Sequence, residues 1–117
     1  MNGEHHQGTL FDRVGTIRTW LDENAPDQAH SERRLLRILK ISEEVGEVSE
    51  AVHGALGANP RKGESHTWGD VEKELCDVVV TALIALSTVT PDAEKVLDSR
   101  LGQLVDRILP PTEDAAE

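Results

Sequence analysis

Glu44 and Glu47 stand three residues apart, as do Glu74 and Asp77, and both pairs fall within runs whose apolar residues recur at helical spacing. Residues three apart share one face of a helix, so each pair aims two carboxylates at one volume, and two facing helices would bring four together. Four crowded carboxylates repel one another. A hard, oxygen-preferring cation such as Mg²⁺ or Mn²⁺ is the simplest device that removes the repulsion. Most helical glutamates line a solvated face. Here, however, both pairs lie on the two most apolar segments, and Asp77 immediately precedes Val78-Val79-Val80. Such charges, if buried, would cost several kcal/mol each without a metal or basic partners.

The elements that must position these acids follow from apolar periodicity. Leu10, Val14, Ile17 and Leu21, with Phe11 and Trp20 beside them, predict a helix from about Thr9 to Asn24. Asn24-Ala25-Pro26-Asp27 ends it. Ser31 is the expected cap of a second helix, the longest, which carries Leu35, Ile38, Leu39, Ile41, Val45, Val48, Val52 and Leu56 and stops at Gly57. Gly46 within it costs about 1 kcal/mol relative to Ala, a cost that a close approach by another helix or a ligand would offset. The stretch from Gly57 to His66 is loop-like. Thr67 is the expected cap of a third helix bearing Val71, Leu75, Val78, Val79, Ala82, Leu83 and Leu86. Thr90-Pro91-Asp92 reads as a cap with proline at the first helical position, opening a fourth helix through Val96, Leu97, Leu101, Leu104, Val105 and Ile108. Pro110-Pro111 ends that helix. No segment alternates over strand length, so the expected class is an all-α, compact bundle of about four helices whose two central helices carry the acidic site.

Length and composition set limits on function. The 117 residues fit a single domain over 1–117 with one modest core, with flexible tails expected at 1–8 and 110–117. A net charge of −10 argues against binding a nucleic-acid polymer through its phosphates, but not against nucleotides, because a bridging cation reverses the local field. The lone Cys76 cannot form an internal disulfide and fits a reducing cytoplasm. With no basic-then-apolar leader and only a short apolar run at Val78 to Leu86, a soluble protein with no membrane partner is expected. His5 and His6, in a polar start, read as incidental to metal binding.

The acidic segments, Glu43-Glu44-Val45-Gly46-Glu47 and Glu74-Leu75-Cys76-Asp77, resemble the Glu-Glu-x-x-Glu and Glu-x-x-Asp motifs of the MazG-like nucleotide pyrophosphohydrolases, within the all-α nucleoside triphosphate pyrophosphatases. The resemblance covers about Leu35 to Leu86, and the outer helices fit by pattern alone. It implies a hydrolase that splits a nucleoside triphosphate, NTP or dNTP, into monophosphate and pyrophosphate, in the manner of nucleotide-pool housecleaning. It further implies Mg²⁺, or Mn²⁺, held by Glu44, Glu47, Glu74 and Asp77. Metal ions neutralise phosphate charge and lower the pKa of a bound water. Glu43 is the candidate for orienting or deprotonating that water, and Glu50 a lesser outer candidate.

Substrate-selecting residues are less clearly marked. Arg100 and Arg107, seven apart on the fourth helix, share a face that suits a phosphate clamp, although such pairs are common on amphipathic helices. Lys62, with Arg61, sits in the loop within reach of a phosphate tail. Trp68 is the better base-stacking candidate of the two tryptophans, ahead of Trp20, and His30 flanks the second helix. A di-iron bundle would need two Glu-x-x-His pairs, and only Glu50 with His53 supplies one. Two alternatives remain: a pyrophosphohydrolase of phosphoribosyl-nucleotides, and a non-catalytic helical dimerisation or regulatory module. The broad apolar faces lead us to expect a homodimer or higher homo-oligomer.

Overall fold

The computed structural model describes residues 7–109 and 111. It consists of four α-helices, α1 (Leu10–Glu23), α2 (His30–Leu56), α3 (Trp68–Val89) and α4 (Ala93–Ile108), with no strand among the described residues. The all-α expectation holds. The expectations for His5, His6 and most of the two tails fall on residues 1–6, 110 and 112–117, outside the described residues.

Local chemistry sets the helix ends. Thr9 caps α1 and Thr67 caps α3, each accepting from the backbone N–H three residues on, while Asp12 and Asp70 return the bond to the cap's own N–H. Gly57 closes α2 in the left-handed conformation, φ 64°, where glycine meets no Cβ penalty. Two caps differ from expectation. α2 starts from Ala29 with no side-chain cap, and Ser31 lies inside its first turn. Arg33 anchors this start: its backbone N–H donates to Ala29 O at 2.9 Å and its guanidinium to Ala25 O at 2.9 Å. At the other corner Pro91 lies in a turn ahead of the N-cap Asp92, whose N–H donates to Thr90 Oγ1 at 3.1 Å.

The packing centres on α2 against α3, with α1 also on α3. Partners rise along α2 as they fall along α3: Arg37 meets Thr88, Glu44 meets Glu74 and Asp77, and Gly54 lies under His66. The pair is therefore antiparallel. α4 leaves α3 at 115° and packs sparsely, mainly on α3. The small core holds Val14, Ala51, Val71, Leu83, Ala85 and Ala93. No single helix among the described residues is long and apolar enough to cross a membrane.

Among the described residues the expected close approach at Gly46 is absent, since a Cβ there would meet open space. Gly54 is the position that needs glycine. A Cβ would run into the His66 ring and Ser65 Oγ, which hydrogen-bond each other at 2.9 Å. That contact seats the loop on α2 just before α3 begins.

Candidate metal centre

Carboxylate oxygens of Glu44, Glu74 and Asp77 converge within 4.8 Å of one another, so the two acidic segments do meet across the antiparallel pair. Glu44 and Glu74 point into the helix–helix seam, with side chains only 12% and 18% exposed, whereas Asp77 lies nearer the rim. Glu47 is outside this group of three and joins it through Glu74. A proton on Glu47 supplies a donor to the Glu74 carboxylate, and the Glu44 charge adds repulsion, so the Glu47 pKa lies above its ordinary value. Acids that favour a shared proton are short of positive charge.

Two lysines that spacing had not singled out partly offset the deficit. Lys40 Nζ lies 3.6 Å from Glu44, four residues along α2. Lys73 Nζ lies 3.4 Å from Glu74 and 3.6 Å from Asp77, and these carboxylates hold its pKa above the usual lysine range. Both could have been found as i,i+4 partners of a site acid. Exposed ammonium groups of this kind contribute little and are easily displaced, Lys73 being 68% exposed. Glu74 Oε2 remains buried without a hydrogen-bond partner. An orphaned, inward carboxylate oxygen among two further acids fits a hard divalent cation, for which Glu44, Glu74 and Asp77 would be the oxygen donors and Glu47 the adjacent fourth.

The remaining sequence candidates are dispersed. Glu43 and Glu50 are exposed on α2, and Lys62 is exposed in the loop. Trp68 opens α3 and is 57% exposed; it lies seven residues before Leu75 and therefore on that residue's face. Arg100 and Arg107 are exposed on α4, where Arg100 Nη1 donates to Gln103 Oε1 at 3.1 Å.

A second charged cluster sits two helical turns up α2. Asp22, in the last turn of α1, receives Arg37 at 2.7 Å, Arg18 at 3.0 Å and Arg33 at 3.6 Å, and Arg37 also donates to Thr88 Oγ1 at 3.0 Å. This joint ties α1, α2 and α3 together. Its members are far apart in sequence, so helical spacing gave no sign of it beyond the Arg18–Asp22 interval of four.

Comparison of the chain with protein-family models, with curated proteins and with solved structures finds no match in any of the three.

Proposed function

We propose that the α2–α3 cluster is a divalent-cation site and that the chain is a Mg²⁺-dependent nucleoside triphosphate pyrophosphohydrolase, acting in the cytoplasm on an NTP or dNTP. The observation that carries this reading is the convergence of Glu44, Glu74 and Asp77 within 4.8 Å, on the two segments that resemble the MazG-like motifs. A bound cation would supply neutralisation of the triphosphate and a water of lowered pKa.

The chain's own residues account for the rest. Glu44 and Glu74 hold their carboxylates in the seam, Asp77 offers an oxygen at the rim, and Glu47 stands beside Glu74 as a fourth oxygen donor. Lys40 and Lys73 neutralise part of the cluster in the free protein and then become free to meet phosphate oxygens. Glu43, four residues before Glu47 and hence on the same side of α2, is the group suited to orient the attacking water or take its proton. In the overall reaction water adds at the α-phosphorus, the bond to the bridging oxygen breaks, and pyrophosphate leaves.

The test is a panel of canonical and damaged (deoxy)nucleoside triphosphates with Mg²⁺ or Mn²⁺, scored for equimolar monophosphate and pyrophosphate. Release from at least one substrate, abolished by chelator, is expected. No release across the panel would remove the triphosphate reading and leave a phosphoribosyl-nucleotide pyrophosphohydrolase or the non-catalytic helical module, the latter favoured by the wide apolar exposure of the helices.

A further inference from the structure

The acids of α2 belong to a longer row of charge. Arg33, Arg37, Lys40, Glu44 and Glu47 succeed one another at intervals of three and four, so they occupy one stripe of the helix, and the sign along it reverses once, from basic to acidic. Because α3 runs antiparallel to α2, its own lysine comes to the cluster from the opposite end. Lys40 Nζ approaches Glu44 Oε1 at 3.6 Å from the end of the seam that holds the Asp22 joint. Lys73 Nζ approaches Glu74 Oε1 at 3.4 Å and Asp77 Oδ2 at 3.6 Å from the end that holds the loop.

What stands behind each lysine differs. Behind Lys40 are Arg37 and Arg33, which with Arg18 set three guanidinium groups against the one carboxylate of Asp22, while the α3 residue that Arg37 meets is the uncharged Thr88. Behind Lys73, about a turn nearer the loop, is an acid, Asp70, whose hydrogen bonds from Thr67 favour its charged form. The loop has cations of its own, but Arg61 and Lys62 lie past Gly57, about 20 Å along α2 from Glu44, against about 6 Å for Lys40. Exposed charges at the larger distance are screened by salt. The seam therefore has a basic end and an acidic end, with the carboxylate cluster between them.

We infer that this polarity sets the direction in which a nucleoside triphosphate lies: along the α2–α3 seam, with its β- and γ-phosphates toward Lys40 and the arginine joint and its nucleoside toward the loop. The inference rests on the triphosphate reading above and adds a direction to it. The terminal phosphate carries the most negative charge of the chain and so takes the basic end. Lys40 is the group that touches the tail, because it is 57% exposed and loosely held, whereas Arg37 and Arg33 stay with Asp22 and act through their surplus charge. Lys73 is left to meet the α-phosphate. Lys62, which the sequence marks for a phosphate tail, lies at the wrong end to serve it.

Calorimetric titrations of the full chain at saturating Mg²⁺ test the direction with two probes. Pyrophosphate carries only the tail; the monophosphate released from the best substrate of the panel carries only the α-phosphate. Lys40→Gln should weaken pyrophosphate about tenfold, the worth of one charge-assisted contact, and leave the monophosphate unchanged, while Lys73→Gln should do the reverse. Lys62→Gln should alter neither. Both seam lysines are more than half exposed, so the helical circular dichroism should match wild type. In a protein that hydrolyses a triphosphate, the opposite pairing, equal losses of both probes, no loss in either variant, or no binding of pyrophosphate by wild type would overturn the direction and leave the hydrolase reading standing. A wild type that hydrolyses nothing in the panel removes that reading and the direction with it.

Discussion

Asp22 is met by three guanidinium groups, whereas Glu44, Glu47, Glu74 and Asp77 share two loosely held lysines. The clusters share α2, along which they lie two turns apart, yet their charge is settled differently. At the Asp22 joint the surplus positive charge faces the C-terminal turns of α1 and α3, whose helix dipoles favour cations, and Arg33 spends further donors on the carbonyls of Ala25 and Gln28. Arg37, with only 11% of its side chain exposed, is held by both an ion pair and a hydrogen bond. The acidic cluster has no such closure. Neutralised from within, charge holds helices together; left in deficit, it leaves room for the cation proposed above.

The largest effect should come from breaking the closed cluster. Asp22→Ala leaves three arginines around an empty position and should destabilise the fold by about 3 kcal/mol, the low end for a broken buried pair because Asp22 keeps some contact with water. Chemical denaturation reads this, and Mg²⁺ should not alter the difference. The open cluster should behave oppositely: Asp77→Asn or Glu47→Gln should reduce pyrophosphate release by about a hundredfold or more, equal to about 2.7 kcal/mol of barrier. Circular dichroism should show an unchanged helical fold.

Metal linkage sharpens the contrast further. At a hundred times its dissociation constant, Mg²⁺ should stabilise the protein by about 2.7 kcal/mol, and Glu74→Gln should abolish the gain. A thermal-shift titration that shows equal stabilisation in both proteins would remove Glu74 from the site. The smallest effect is the pH dependence of the metal-free protein. Because folding raises the Glu47 pKa, its contribution to stability is full below the usual value of 4.5 and lost as pH rises through the folded value. Asp70 works the other way. Its bonds to Thr67 lower its pKa, so its contribution disappears only as pH falls below the usual 3.8. Melting curves across this range should decline less on the alkaline side for Glu47→Gln, and a decline as steep as wild type would exclude Glu47 as its source.

Much of the fold was legible because apolar periodicity and capping chemistry act within a few residues. Thr67 and Gly57 each set a helix end as their types suggested, and Thr9 with Asp12 forms a capping box that the sequence reading had not singled out. Ser31 misled for a physical reason. A good cap residue is overruled when a tertiary contact, here Arg33 gripping the preceding turn, starts the helix earlier. Pro91 was displaced from the first helical position by the Thr90 turn. Gly46 looked like a point of close approach, but whether a neighbour comes near depends on what packs there, and that position was Gly54.

The sequence by itself determined four helices, their approximate limits, and which acids share a face, since all of these follow from the geometry of one helix. Only the tertiary structure decided that α2 and α3 bring Glu44, Glu74 and Asp77 to one point while Asp22 gathers its arginines. Those outcomes depend on how far each helix turns and slides against another, a relation between distant residues that spacing along one chain does not encode.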